Sequence, residues 1–181
     1  MTDYYIAFGS NLGDGVQRAQ WVIQQLKSRL SLTRIKLSKL YLTTPVECAS
    51  GTPRYINGVI ALSCNENPET LLLLCQALEK EAGRVVSQIK NADRPLDLDL
   101  LCSSPIQVIN QSQLILPHPR LHLRAFVLLP LSELAGELIL DIGGKALLIS
   151  DWYKWQQQQQ ELGLLPKEKL EVIQFSENSI S

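Results

Sequence analysis

The chain has 181 residues, 17 Lys and Arg against 18 Asp and Glu, a net charge of −1 and 45% hydrophobic residues. That length suits one domain with a substantial core, and the near-neutral balance excludes a general nucleic-acid binder, which would carry a basic excess. No stretch is apolar for long enough to cross a bilayer, "MTDYYIAFGSNLGD" lacks the features of a secretion signal, and Cys48, Cys64, Cys75 and Cys102 lack C-x-x-C spacing, so a reduced, cytoplasmic protein is expected.

Tyr4 to Phe8 reads as a first strand, stopped by the turn formers of "GSNLGD". Ala19, Ile23, Leu26 and Leu30 then recur at helical spacing over residues 16–30. A strand is expected through "TRIKLSKLYLTT", followed by an exposed loop over residues 44–53. In "RYINGVIALSC" the alternation places Ile56, Ile60, Leu62 and Cys64 on one face and Tyr55, Asn57 and Val59 on the other. A second helix is capped by Asn67, with Pro68 and Glu69 in its first turn, and it ends near Gly83. Its apolar stripe is Leu71, Leu74, Cys75 and Leu78. A polar segment, 84–95, leads into "LDLDLLC", a strand by its alternation. A short hairpin through Ile106–Ile109, a loop "LPHPRLHLR", a helix from Ala125 to Leu134 around Pro130, a hairpin in "LILDIGGKALLIS" and a helix in "DWYKWQQQQQELG" complete the chain. Gln156–Gln160 read as a solvated helix face.

The order β-α-β-β-α-β is that of an α+β, ferredoxin-like sandwich with its helices on one sheet face, here with an added C-terminal hairpin and helix. One domain is expected over residues 1–165, with 166–181 as a partly flexible tail. In that sandwich Ile56, Ile60, Leu62, Leu98 and Leu100 face the helices, and the open face gathers Tyr55, Asn57, Asp97 and Asp99.

Asp97 and Asp99 are the residues that need a chemical account. Two residues of strand separate them by roughly 6–7 Å along one face, where they repel unless water or a cation lies between. A bare D-x-D is more often two solvated carboxylates, but Arg84, Lys90 and Arg94 stand close by in sequence. Carboxylates for Mg²⁺ beside basic side chains are the usual apparatus for a polyphosphate. Both histidines fall in "HPRLH", His118–His122, followed by Arg124 and Phe126. Further zinc ligands are not evident, so a histidine among arginines near phosphate is the better reading. "FGSNLGD" has neither G-x-x-x-x-G-K-[ST] nor G-x-G-x-x-G, and it reads as a tight strand-to-helix turn.

Five motifs occur in order: "YIAFGSNLGD", "YINGVI", "ALEKEAGR", "RPLDLDLL" and "LPHPRLHLRAFVLLPLSELA". Together they resemble the 6-hydroxymethyl-7,8-dihydropterin pyrophosphokinase family of folate biosynthesis, over about residues 3–140. The resemblance implies transfer of the terminal pyrophosphoryl unit of ATP to a pterin hydroxymethyl group, leaving AMP. It implies two Mg²⁺ ions on Asp97 and Asp99, with Arg84, Arg94, His118 and Arg124 against the phosphates. Gln76, Glu79 and Leu100 would line the nucleotide pocket. Tyr55 and Phe126 would sandwich the pterin, while Asn57 and backbone groups at Thr43 and Val46 would bond its edge. The partners implied are that pterin and ATP, without nucleic acid or membrane; a monomer is expected, with a dimer as the alternative.

The segment that resembles the family's closing loop departs from its pattern. Val86 replaces an arginine, Asn91 a tryptophan and Pro95 the usual threonine, Asp93 adds a negative charge, and Leu123 stands where glutamate is common. A paralogue that binds pterin with weak or changed activity is therefore the alternative within the family. An RNA-binding sheet is the alternative from another class, and the acidic pair counts against it.

Overall fold

A computed structural model describes residues 1–43, 54–83 and 95–173. Val46, Cys48, Arg84, Val86, Lys90, Asn91, Asp93 and Arg94 lie outside them. The fold is α+β, with a mostly antiparallel main sheet and four α-helices among the described residues.

Strand β1 (Thr2–Ser10) lies at the centre, antiparallel to β4 (Tyr55–Cys64) on one side and to β5 (Asp97–Ser104) on the other. Beyond β4 the sheet continues through β3 (Leu40–Thr43), while β2 (Arg34–Leu37) pairs the far half of β4. The single strand expected from "TRIKLSKLYLTT" is thus two. The break falls at Ser38, whose backbone N–H donates to Val59 O (2.9 Å) and whose hydroxyl accepts from Val59 N–H (2.9 Å). A side chain that takes a ladder position in this way ends the regular pairing.

Helices α1 (Gly15–Arg29) and α2 (Pro68–Glu81) cover one face. Each starts on a side-chain cap: Asp14 accepts from Val16 N–H (2.9 Å) and Gln17 N–H (3.0 Å), and Asn67 accepts from Thr70 N–H (2.8 Å). Arg29 binds both carboxylate oxygens of Glu81 (2.8 and 2.7 Å), which ties the helix ends together. Ala19, Val22, Ile23 and Leu26 of α1, with Leu71, Cys75 and Leu78 of α2, pack on Ile6, Phe8, Ile60, Leu62, Leu98 and Leu100. Ile56 packs against the same cluster, so all five residues expected to face the helices do so.

The expectation that helices occupy one face alone is corrected. The other face carries a second core, in which Val127, Leu128 and Leu131 of α3 (Ala125–Ala135) meet Tyr5, Val59, Ala61, Leu101 and Cys102. Ile149 and Trp152 of α4 (Ile149–Glu161) complete it, and the Trp152 indole N–H donates to Leu140 O (3.1 Å). The sequence of α3 is apolar on all sides, as a helix between a sheet and another helix requires. The second core stops short of the β1–β4–β5 ends that carry Gly9, Asn57 and Asp97.

Three further expectations change. The hairpin near residue 106 lies later, as β6 (Ile109–Asn110) and β7 (Ile115–Leu116). Residues 166–181, expected as a tail, include a strand: β10 (Leu170–Ile173) pairs antiparallel with β3 and becomes the outer strand of the sheet. Gln156, expected on a solvated face, is fully buried. By contrast the hairpin β8 (Ile139–Ile142) and β9 (Lys145–Leu148) turns where expected, on Gly143 and Gly144 at φ +65° and +81°, a pairing that only glycine-like backbones adopt easily.

His122 belongs to the second core, with its ring centroid 5.5 Å from that of Trp152 and its Nδ1 buried without a hydrogen-bond partner. Burial pushes its pKa below the ordinary imidazole value. The unfolded chain therefore takes up this proton first, and stability is lost as pH falls below about 6.5 towards the folded-state pKa. We predict that His122→Phe loses less melting temperature than the parent between about pH 7.5 and 5.5. Parallel losses in the two proteins would refute that account.

Candidate active site

Register brings the polar face together. Gly9 of β1 lies opposite Asn57 on one side and Asp97 on the other, and Ala7 likewise lies between Val59 and Asp99. Directly opposed residues share a sheet face, so Asp97, Asp99 and Asn57 emerge on one side while Leu96, Leu98 and Leu100 are buried on the other. A Cβ at position 9 would stand 3.1 Å from Asn57 Oδ1 and 3.8 Å from Asp97 Cβ. Glycine there lets the Asn57 amide oxygen lie close over the β1 backbone, where any larger side chain would crowd it. The row extends through β3, where Tyr41 is opposite Asn57 and Thr43 opposite Tyr55. The Asn57 amide donates to Thr43 Oγ1 (2.7 Å), and both residues are buried, so its rotamer is set before any ligand arrives.

The loop with both histidines reaches this row because β5 is irregular. A shift in pairing between Tyr5 and Ile6 leaves Leu101 without an opposite residue on β1, which is the signature of a β-bulge. Leu101 O accepts from His118 N–H (2.7 Å), so the bulge is where the loop is pinned, two residues beyond Asp99. His118 Nδ1 accepts from Arg120 N–H (3.2 Å), which in the neutral ring leaves the proton on Nε2. Burial lowers the His118 pKa, Asp99 opposes that shift, and Arg124 and Arg120 add to it. The charges of Asp97 and Asp99 also act on Arg124, with Glu168, against the larger effects of burial and Arg120. His118, Arg120 and Arg124 thus form the basic wall beside the carboxylate pair.

Phe126 is half-buried at the start of α3, and the Arg124 guanidinium lies over its ring at 5.6 Å. Glu79 faces elsewhere: it is buried under the free edge of β5 and accepts from Leu98 N–H (2.8 Å). Leu98 and Leu100 are two apart on an edge strand, so the backbone groups of Leu100 share that outward edge while its side chain is buried in the α1–α2 core. Gln76 is exposed on α2. Arg84, Arg94 and Val46 lie outside the described residues. Two residues at the site were not singled out from sequence. The first is Gly9, which reads from the sequence as a turn former after Phe8 but is a paired residue of β1, so that its role depends on register. The second is Glu168, which bonds the start of α3 from a distant stretch; the alternation of "KLEVI" beside it was the available signal.

The donor set suits a hard cation that arrives with its substrate. Among the described residues no group of three or more His, Cys, Asp or Glu is placed to hold a metal. Two carboxylates on an open face, beside cationic side chains, match the needs of Mg²⁺, which keeps waters and takes oxygens from bound phosphate.

Residues 5–136 match the family profile described as 7,8-dihydro-6-hydroxymethylpterin-pyrophosphokinase (HPPK). The chain is 36% identical over 139 residues to the 2-amino-4-hydroxy-6-hydroxymethyldihydropteridine pyrophosphokinase of Porphyromonas gingivalis, across 75% of this chain and 92% of that protein. It is 40% identical over 140 residues to the protein of the same name from Pseudomonas aeruginosa, across 77% of this chain and 84% of that one. Among solved structures, a crystal structure of HPPK-DHPS in complex with substrates superposes with a TM-score of 0.65 at 12% identity, over 96% of this chain and 50% of that chain. That similarity is one of fold.

Proposed function

This chain belongs to the 7,8-dihydro-6-hydroxymethylpterin-pyrophosphokinase family, enzymes of ATP-dependent pyrophosphoryl transfer in folate synthesis, and from that premise we propose how its own residues divide the work. The observation that carries the proposal is the row Asp97–Gly9–Asn57, which puts the acidic pair and the fixed amide on one open face within a matched domain. The order β3–β4–β1–β5, with α1 and α2 on one side, supports a ferredoxin-like core to which α3, α4 and β10 are added.

The pterin lies over the β3–β4 end of the row. Asn57, held by Thr43, presents a fixed hydrogen-bonding edge, and Tyr55 and Phe126 enclose the ring from β4 and from α3. The backbone of Val46 is assigned to the same edge. Stacking with a small set of fixed polar groups is how sites select a flat heterocycle. Asp97 and Asp99 would hold two Mg²⁺ ions together with ATP, and the ions, when bound, would supply positive charge against the phosphates. His118 and Arg124 contact the phosphates from the bulge side, and Arg84 and Arg94, outside the described residues, are assigned to the same phosphates. The outward backbone of Leu100 pairs with the base, and Gln76 lies along the same nucleotide side. Glu79 acts from beneath, holding the edge strand through Leu98. The hydroxyl oxygen, giving its proton up to water, bonds to the β-phosphorus as the bond to the oxygen retained by AMP breaks, so pyrophosphate moves as one unit.

Incubation with ATP, Mg²⁺ and 6-hydroxymethyl-7,8-dihydropterin should release AMP and the pterin diphosphate. Release of ADP would overturn the reaction assigned, and tight pterin binding without turnover would mark the paralogue reading instead. Because the cation comes with the nucleotide, EDTA should stop turnover yet leave the melting temperature of the ligand-free protein unchanged. A clear drop in that temperature would reveal a structural metal and contradict the assignment.

A further inference from the structure

Residues 164–173 run past the site and touch it at three places, although the family match stops at residue 136. Pro166 O accepts from the Gln160 side chain (2.8 Å), which turns the chain back from the end of α4. Glu168 then reaches the start of α3: one carboxylate oxygen accepts from Ala125 N–H (3.2 Å), the other from Phe126 N–H (3.0 Å). Beyond it β10 pairs with β3, placing Leu170 opposite Thr43, and Glu171 forms an ion pair with Arg54 (3.2 Å), the residue before Tyr55. One short stretch therefore braces the elements that carry Phe126, Thr43 and Tyr55.

Glu168 makes the most specific of these contacts. Helix α3 begins at Arg124 without a side-chain cap of its own and with no acidic residue in its first turn. Four N–H groups at a helix start need acceptors, and a carboxylate there is favoured by the dipole as well. Glu168 supplies two of those acceptors from more than forty residues away, and its charge acts on Arg124, whose guanidinium lies on the Phe126 ring. The backbone at Phe126 is thus held by a side chain from outside the helix.

We infer that Glu168 is a positioning residue for the pterin subsite, which orients Phe126 by capping α3, so that residues 164–173 are a working part of the site. This deepens the assigned activity and rests on it.

The test is equilibrium binding of 6-hydroxymethyl-7,8-dihydropterin and of ATP·Mg²⁺ to the full chain, measured separately. For Glu168→Ala the pterin Kd should rise about five-fold or more, the size of one lost capping interaction, with the ATP Kd within about two-fold of the parent. Glu168→Gln, nearly isosteric and still able to accept one N–H, should fold as the parent does and give an intermediate pterin Kd. An unchanged pterin Kd in both variants, or weakening of both ligands together, would overturn the inference. A parent protein that binds no pterin at all would instead bring down the assigned activity, and this inference with it.

Discussion

Asp97→Ala is expected to lower the rate of AMP formation at least about a thousand-fold, equivalent to roughly 4 kcal/mol of lost transition-state stabilisation. The reason is local. Asp97 stands at the end of β5 opposite Gly9, on the face away from Leu96 and Leu98, so its loss opens no cavity in either core. Circular dichroism and melting temperature should therefore stay close to the parent. Turnover that survives the substitution would refute the metal assignment; collapse of the fold would refute the placement of Asp97 outside the cores. Asp99→Asn separates charge from shape at the neighbouring position. It should also be severely impaired, because an amide is a poor ligand for a cation that prefers carboxylate oxygen.

The second large effect concerns folding. Trp152 is 2% exposed, its indole N–H donates to Leu140 O, and its ring meets those of His122 and Trp155 at 5.5 and 5.4 Å. Truncation to alanine removes the ring, empties its place and leaves a buried carbonyl without its donor. Such changes cost about 3–5 kcal/mol, to be read as a fall in the denaturant midpoint at constant slope. A shift below about 1 kcal/mol would mean that the second core contributes little and that α4 is an ornament on a self-sufficient sandwich. Asp97 and Trp152 thus separate the two faces of the molecule: one substitution silences chemistry in an intact fold, the other weakens the fold.

The alternation of "YINGVI" and "LDLDL" was enough to allot residues to the two sides of the sheet, because a pleated strand leaves few choices once the apolar set is known. The cap of α2 was equally local, with Asn67 acting within three residues of itself, whereas Asp14, read as a turn former, also caps α1. What escaped was decided at long range. Nothing near Ala125 announces that α3 will be capped from residue 168, and nothing in five successive glutamines tells which one turns inward. Gln156 does, because α4 docks on that side. A ferredoxin-like order also invites the assumption that the second side is bare, yet the apolar, stripe-free composition of α3 was a sign that this helix needed a surface on each flank. The row at the site was readable as a set of residue types, but the close approach of the Asn57 amide over Gly9 is a property of three strands in register.

The extra residue in β5 has a consequence for how this strand can evolve. Leu100 lies with the α1–α2 core and Cys102 with the opposite one, although an even number of steps should return a side chain to the same side. Leu101 supplies the half-period that makes both placements true at once. Deleting it would leave Leu100 and Cys102 as neighbours on opposite sides, as a regular strand has them, and would close the pairings of Ile6 with Leu100 and of Tyr5 with Cys102 into an unbroken ladder. What the deletion would remove is the carbonyl that accepts from His118 N–H, so the bulge serves the loop beside the acids and leaves the phase of the strand untouched.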